Sequence, residues 1–273
     1  MNLMTPALES SIETSIIKNL ISENYFSAIE NIQNTLNQLY AAIPDNKRIS
    51  YGRVYTIKIL SRFLYSRLME SGAPVFSVSA ALFKLSNEFG STGVALGMIS
   101  FCGIENYKTA LPYFEAAAIS ENWDVREFAQ MFFRKLIKKY PDEMRAYLLE
   151  RTTSNNANIR RFVAETLRPV QENQWLYKNP EFSLSILRKM FQEPSAYPRT
   201  AVGNNLSDLA RRLPGRIFEI VQELVESGNK NSYWIAYRAC RNLVKTEPIK
   251  VMDILKVDEY KYKKRVHRKS DYL

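Results

Sequence analysis

Four segments in the second half of the chain repeat one apolar register, and this repeat restricts the fold more than any other feature. They are Trp123-Asp-Val-Arg-Glu-Phe-Ala, Asn158-Ile-Arg-Arg-Phe-Val-Ala, Tyr197-Pro-Arg-Thr-Ala-Val-Gly and, more loosely, Trp234-Ile-Ala-Tyr-Arg-Ala-Cys. With Val125, Ile159, Pro198 and Ile235 set as position zero, Phe133, Leu167, Leu206 and Leu243 all fall at position eight. Positions zero, four and eight share one side of an α-helix. Successive units lie 34, 39 and 37 residues apart, close to the roughly 40 to 47 of HEAT-type helix pairs. Between them the apolar spacing predicts shorter helices over Asp142 to Leu149, Glu181 to Phe191, Pro214 to Val225 and Pro248 to Leu255. A single helix pair cannot bury its apolar face, so stacked pairs are expected to form a right-handed α-solenoid with a concave binding face.

The rest of the chain also reads as helix. It has only 9 glycines and few alternating β-branched runs, so no strand is required and the fold class is all-α. Ser10 to Tyr40 predicts two or three helices, Asn46 to Arg48 a polar turn, Tyr51 to Met69 a helix, and Gly72-Ala73-Pro74 a break. Gly90 to Gly103 predicts a short, closely packed helix. The expected division is an N-terminal helical part over 1–122, repeats carrying the candidate site over 123–256, and a basic C-terminal tail over 257–273.

Charge narrows the function. The chain carries 38 Lys and Arg against 28 Asp and Glu, a formal charge of +10, which points to a polyanionic partner and above all to nucleic acid. Its one histidine, His267, lies in the polar tail. That argues against Ser-His-Asp and Cys-His chemistry and against histidine zinc sites, so no metal is expected and any catalysis must rest on carboxylates. Cys102 and Cys240 sit in apolar helical patterns without a CxxC and read as reduced core thiols. Neither GxGxxG nor a P-loop pattern occurs, so no nucleotide cofactor is expected. Glu9 and Glu13 interrupt any leader-like start, and the longest uncharged stretch, Phe89 to Ile104, contains four glycines and falls short of the roughly 20 apolar residues of a membrane span. The expectation is a cytoplasmic protein, nucleoid-associated when bound to DNA, with no membrane partner.

Positions two, six and ten of each unit lie on the helix side away from the apolar register. They read Glu127, Met131 and Lys135; Arg161, Glu165 and Pro169; Thr200, Asn204 and Asp208; Tyr237, Arg241 and Lys245. Three carboxylates, Glu127, Glu165 and Asp208, thus stand among basic and polar residues, and neighbouring helices offset along their axes would let them converge. The alternative is that each pairs with a nearby arginine such as Arg126, Arg168 or Arg211. The tail adds Lys261, Lys263, Lys264, Arg265, Arg268 and Lys269, interleaved with Tyr260 and Tyr262, and suits either phosphate contact or a solvated, frayed end. The candidate DNA-binding set is Arg161, Thr200, Asn204, Tyr237, Arg241, Lys245, Lys263, Lys264 and Arg265. Architecture alone favours a protein-interaction scaffold, since most HEAT arrays are that.

Three stretches carry a resemblance. Asn158-Ile-Arg-Arg-Phe-Val-Ala-Glu-Thr-Leu-Arg-Pro, Pro194-Ser-Ala-Tyr-Pro-Arg-Thr-Ala-Val-Gly-Asn-Asn-Leu-Ser-Asp-Leu and Trp234-Ile-Ala-Tyr-Arg-Ala-Cys-Arg-Asn-Leu-Val-Lys together resemble the HEAT-like DNA alkylation repair proteins, the AlkC and AlkD superfamily, nearer the AlkC branch. The likeness covers roughly residues 120 to 256. It implies a DNA glycosylase that removes cationic N3- and N7-alkylated purines from duplex DNA held in the concave groove, without cofactor. By family motif, Glu127, Glu165 and Asp208 fall where AlkC-type proteins place their active-site carboxylates. The AlkC pattern continues after Arg-Pro with Arg-Leu-Pro-Trp, whereas here Arg168-Pro169 is followed by Val-Gln-Glu-Asn-Gln and only then Trp175. Trp175 is the candidate aromatic wall. Trp123 and Trp234, each within two residues of position zero, are expected to close the core between repeats. Some members of the superfamily bind damaged or branched DNA without excising bases, which makes a non-catalytic binder the rival reading.

The implied chemistry does not need histidine. An alkylpurine already bears positive charge and leaves with little or no general-acid help. Carboxylates then stabilise the oxocarbenium-like sugar, and one of them orients or deprotonates the attacking water.

Overall fold

The structure, a computed structural model, describes residues 3–272; Met1, Asn2 and Leu273, which the boundaries above include, lie outside it. It forms two compact units, the first ending at Lys139 and the second beginning at Tyr140.

In the first unit, α1 (Pro6–Ile12) runs through a π-turn at Glu13–Ile17 into α2 (Lys18–Ile21), followed by α3 (Tyr25–Ala41). After a 3-10 turn at Asp45–Lys47 come α4 (Arg53–Glu70), α5 (Val75–Leu85), α6 (Phe89–Glu105), α7 (Tyr107–Ala118) and α8 (Trp123–Lys139). Helices α4, α6 and α8 pack side by side, with α5 and α7 laid behind them. The Gly90 to Gly103 stretch is therefore a longer helix than its composition suggested, and it is buried nearly all round. Its glycines allow the close approach: a Cβ on Gly97 would stand 2.5 Å from Ser61 Oγ of α4.

In the second unit, α9 (Pro141–Arg151), α11 (Pro180–Leu187), α13 (Pro214–Glu226) and α15 (Pro248–Leu255) alternate with α10 (Ala157–Thr166), α12 (Ala196–Leu209) and α14 (Lys230–Leu243). Each of the first four opens on proline, whose missing N–H costs nothing at a helix start. Helices α10, α12 and α14 form one layer. All twelve apolar register positions are buried: Val125, Ala129 and Phe133, then Ile159, Val163 and Leu167, Pro198, Val202 and Leu206, and Ile235, Ala239 and Leu243. The periodicity thus locates the core of each repeat.

One expectation is corrected. The described residues include a two-stranded antiparallel hairpin, β1 (Glu259–Tyr262) and β2 (Arg265–Arg268). It is docked on α14: Tyr260 is fully buried, stacks on Tyr237 at 4.5 Å and donates to the Tyr237 carbonyl at 2.9 Å. Tyr237 Oη in turn accepts from the Lys261 N–H at 2.7 Å. The hairpin turn places Lys263 at φ 56°, a left-handed conformation that usually calls for Gly or Asn.

Candidate functional site

The site in the second unit arises from a helix that stops early. Pro169 has no N–H, and its ring disfavours helical geometry in the residue before it, so α10 ends at Thr166 where α12 and α14 each run 14 residues. Asn173 Nδ2 donates to the Thr166 carbonyl at 2.7 Å and closes this end. Arg168, now beyond the helix, reaches across to α12. Its Nε and Nη2 donate to Asp208 Oδ2 at 2.9 and 2.6 Å, and its Nη1 donates to Glu165 Oε2 at 3.2 Å. One guanidinium therefore holds both carboxylates. Arg161 Nη2 lies 3.5 Å from Glu165 Oε1 and stacks over Tyr197. Tyr177, from a 3-10 segment at Gln171–Tyr177, donates to the Asp208 carbonyl at 3.2 Å.

The two oxygens of Asp208 differ. Oδ2 is fixed by both short Arg168 bonds, whereas Oδ1 meets only Arg241 Nη2 at 3.4 Å and Arg211 Nη2 at 3.6 Å. Asp208's side chain is 10% exposed and Arg211's is 62% exposed, so Arg211 is a loose cover and Oδ1 the oxygen available to an incoming cation. Burial works against the Arg168 charge, but Glu165 and Asp208 outweigh it and hold its pKa above the usual value. Buried carboxylates of this kind persist only when paired.

Arg241 links the cluster to the hairpin. It donates through Nε to Ser207 Oγ at 3.0 Å, and through Nη1 to Asn204 Oδ1 at 3.0 Å and Tyr262 Oη at 3.2 Å. That bond from Arg241 leads the causes that lower the Tyr262 pKa. Arg238 Nε donates to the same Asn204 oxygen at 2.9 Å, and Gly203 makes room for the Arg238 side chain. Between the hairpin and α14 opens a cleft of about 730 Å³ lined by Arg211, Arg241, Lys245, Lys263, Lys264 and Arg265, with no carboxylate in its lining. Such a cleft favours phosphate.

Of the sequence-derived residues, Glu165, Asp208, Arg161, Asn204 and Arg241 meet in one network, while Tyr237, Lys245, Lys263, Lys264 and Arg265 surround or anchor the adjoining hairpin. Thr200 turns its hydroxyl to the Ala196 carbonyl of its own helix at 2.7 Å. Glu127 lies on α8 of the first unit, where it accepts a hydrogen bond from Gln130 Nε2. Trp175 packs edge-on against Phe182, ring centroids 5.1 Å apart, and lines a separate recess with Asp142, Arg145 and Lys178; the aromatic that touches Asp208 is Tyr177. Trp123 does not close the core. As the first residue of α8 it projects past the repeat and is 63% exposed. Trp234 is clasped between the Arg199 and Arg238 guanidiniums. Arg238, Ser207 and Tyr177 lie outside the sequence-derived site and Tyr262 entered it only with the tail, while Arg168 and Arg211, the alternative arginine partners, do pair with the carboxylates, Arg168 with both Glu165 and Asp208; Pro169, as a helix breaker, is the signal that Arg168 leaves the helix.

The first unit has its own charged face. On α8, Lys135 Nζ donates to Ser100 Oγ at 2.9 Å and lies 3.3 Å from the Phe101 ring centroid. Burial, aided by repulsion from Lys58 and Arg62, pushes its pKa down to about 7. In the unfolded chain the same amine holds its proton to about pH 10.4. Stability from this position therefore rises between those values and is lost as pH falls through 7. Lys135→Met is expected to raise stability by on the order of 2 to 4 kcal/mol at pH 6, with the gain fading by pH 10. Melting curves of the two proteins across that range measure it.

Among the described residues no helix is long and apolar enough to cross a membrane, and no group of three or more His, Cys, Asp or Glu is placed to hold a metal ion. No known protein-family model matches the chain. The uncharacterized protein YhaZ of Bacillus subtilis is 30% identical over 110 residues, covering 38% of this chain and 30% of YhaZ; the match thus spans under a third of that relative's length. Among solved structures, Pseudomonas fluorescens AlkC, an alkylpurine DNA glycosylase bound to DNA containing an abasic site analogue, aligns over 94% of this chain and 70% of its own, at 18% identity and TM-score 0.59. AlkD2 from Streptococcus mutans aligns over 77% and 98%, at 16% identity and TM-score 0.55.

This is the fold of AlkC and AlkD2.

A third structure, smu.31 from Streptococcus mutans UA159, aligns over 68% of this chain and 98% of its own, at 17% identity and TM-score 0.52. The AlkC and AlkD2 likenesses are of the same order and do not distinguish the AlkC branch from the other.

Proposed function

We propose that this protein binds duplex DNA and hydrolyses the N-glycosidic bond of cationic N3- and N7-alkylated purines. The observation that carries the reading is the Glu165–Arg168–Asp208 cluster beside a carboxylate-free basic cleft, on a fold shared with an alkylpurine DNA glycosylase. In this reading the backbone phosphates enter the cleft and draw Arg211 off Asp208. Asp208 Oδ1 then faces the developing sugar cation, while Arg168 keeps Oδ2 in place. Glu165 adds negative potential and supports the attacking water. Incubating the protein with methylated duplex DNA and measuring release of free 3-methyladenine and 7-methylguanine tests the reading directly. No release above the spontaneous rate at any pH from 6 to 9 would remove it.

A second reading, non-catalytic binding of damaged or branched DNA, draws support from two observations. Both Asp208 oxygens are met by arginines, and Trp175 lines a recess away from the cluster. Tight binding to four-way junctions together with absent excision would favour it.

Both readings require phosphate contact. Duplex affinity is expected to fall by roughly 10³-fold or more between about 50 and 200 mM salt, if around six phosphates are neutralised. Fluorescence anisotropy over that range checks it, and a flat salt response rules out the basic cleft as a phosphate site.

A further inference from the structure

The two faces of the hairpin treat their cations differently. Directly paired residues of an antiparallel ladder share a face, and so do residues two apart. The register Tyr260–His267 and Tyr262–Arg265 therefore puts these four side chains on one side. That side is turned to α14, where Tyr260 is buried, and Tyr262, Arg265 and His267 line the cleft of about 730 Å³. On the opposite side Arg268 pairs with Glu259 at 3.2 Å, and just past the strand Lys269 pairs with Asp253 at 2.5 Å. Lys263, Lys264 and Arg265 all line the cleft, and among the described residues none of them forms an ion pair. Charge is neutralised outside the cleft and left free within it.

We propose that this cleft takes the phosphate monoester of an unpaired nucleotide, and that the nucleotide is the 5′-phosphorylated end of a DNA strand. The inference rests on the phosphate cleft of the reading above and names which phosphate enters it; it does not require excision. Charge favours a monoester. A phosphodiester within a strand carries one negative charge, whereas a terminal phosphate carries about −1.5 to −2 at pH 7 and has three oxygens to accept hydrogen bonds. Three free cations, with Arg241 behind them, match the second better than the first, and the planar fork of Arg265 suits two of those oxygens at once. Size favours a single nucleotide: the cleft falls within the roughly 300 to 1,000 Å³ of small-ligand sites. The walls favour a base beside the phosphate. Tyr262 and Val244 supply an aromatic and an aliphatic surface, and a base without a pairing partner stacks on such a ring whatever its sequence. Tyr262 is also fixed, because its Oη accepts from Arg241 Nη1 at 3.2 Å. His267, tied through Nδ1 to Tyr272 Oη at 2.6 Å, completes the lining.

The test compares two duplexes with a short 5′ overhang, identical except that the overhang ends in a phosphate or a hydroxyl. Binding to the full-length protein is followed by fluorescence anisotropy at one salt concentration. The phosphorylated end is expected to bind about tenfold more tightly or better, the worth of one further charge-assisted hydrogen bond. Lys264→Gln and Arg265→Gln, their folds checked by circular dichroism, abolish the preference. Tyr262→Leu weakens binding of the phosphorylated end while Tyr262→Phe keeps it, and Arg268→Gln, on the opposite face, leaves the preference unchanged. Equal binding of the two ends, or a preference that survives both cleft substitutions, overturns the proposal. Deoxyadenosine 5′-monophosphate competing as well as the phosphorylated overhang overturns the assignment to a strand end in favour of a free nucleotide. Inorganic phosphate competing as well as that nucleotide overturns the role of Tyr262. Equal binding of the two ends with the steep salt dependence retained leaves the earlier reading standing. A clear preference in a protein that releases no methylated base defeats the glycosylase reading and keeps this inference.

Discussion

Asp208→Asn is expected to lower single-turnover excision of N3- and N7-methylated purines by about a hundredfold or more, with duplex affinity kept within a few-fold. The amide keeps the shape of the carboxylate and can still accept from Arg168 through its oxygen, but it presents no charge to the sugar cation. Because Asp208 is held by Arg168 at 2.6 Å in a largely buried setting, the substitution also weakens a buried ion pair. A stability loss of about 1 to 3 kcal/mol accompanies it, and the kinetics belong at a temperature where circular dichroism shows both proteins folded. Glu165→Gln acts in the same direction and less strongly, since Glu165 meets Arg161 and Arg168 at longer range. If the Asn variant loses stability and excises bases at the wild-type rate, Asp208 is an architectural partner of Arg168 and the chemistry lies elsewhere.

Leu206→Ala is expected to destabilise the protein by roughly 2 to 5 kcal/mol. Leu206 is fully buried at position eight of its repeat, in the α12 layer between α10 and α14. Truncation leaves a cavity that neighbouring helices cannot close, because each is pinned across the layer. Asn205 Nδ2 donates to the Ala164 carbonyl at 2.9 Å, and Asn242 Nδ2 donates to the Ser207 carbonyl at 2.8 Å. Chemical denaturation measures the loss. An unchanged midpoint would place Leu206 outside the core and undo the register on which the stripe of site residues depends.

That register was legible because helix periodicity is local: apolar residues at zero, four and eight bury themselves wherever the helix goes, and all twelve did. The short alternate helices were legible too, since proline marks their starts. The hairpin was not. Its turn is Lys263-Lys264 rather than the Asn-Gly or Asp-Gly that announces two-residue turns, and its alternation spans only four residues per strand. In the site, Glu165, Asn204 and Arg241 emerged from the stripe because their helices are continuous. Arg168 did not, because the stripe extrapolates a helix through Pro169, and the helix ends before it. Its partner choice is a contact between residues 40 apart, beyond anything that spacing encodes. Trp175 was placed by analogy with a motif that the chain does not continue, and its ring packs with Phe182 instead.

The single guanidinium shared by Glu165 and Asp208 has a consequence for how such a site changes over generations. A substitution at either carboxylate frees part of Arg168 to reorganise around the other, so its effect depends on the state of its counterpart. The three residues form one unit of inheritance: a lineage that loses Arg168 leaves Asp208 to the longer Arg241 and Arg211 contacts and Glu165 to Arg161, and relaxes that loss of pairing by giving up a carboxylate as well. Chains of this fold that have lost one of the three should therefore differ at several of these positions together.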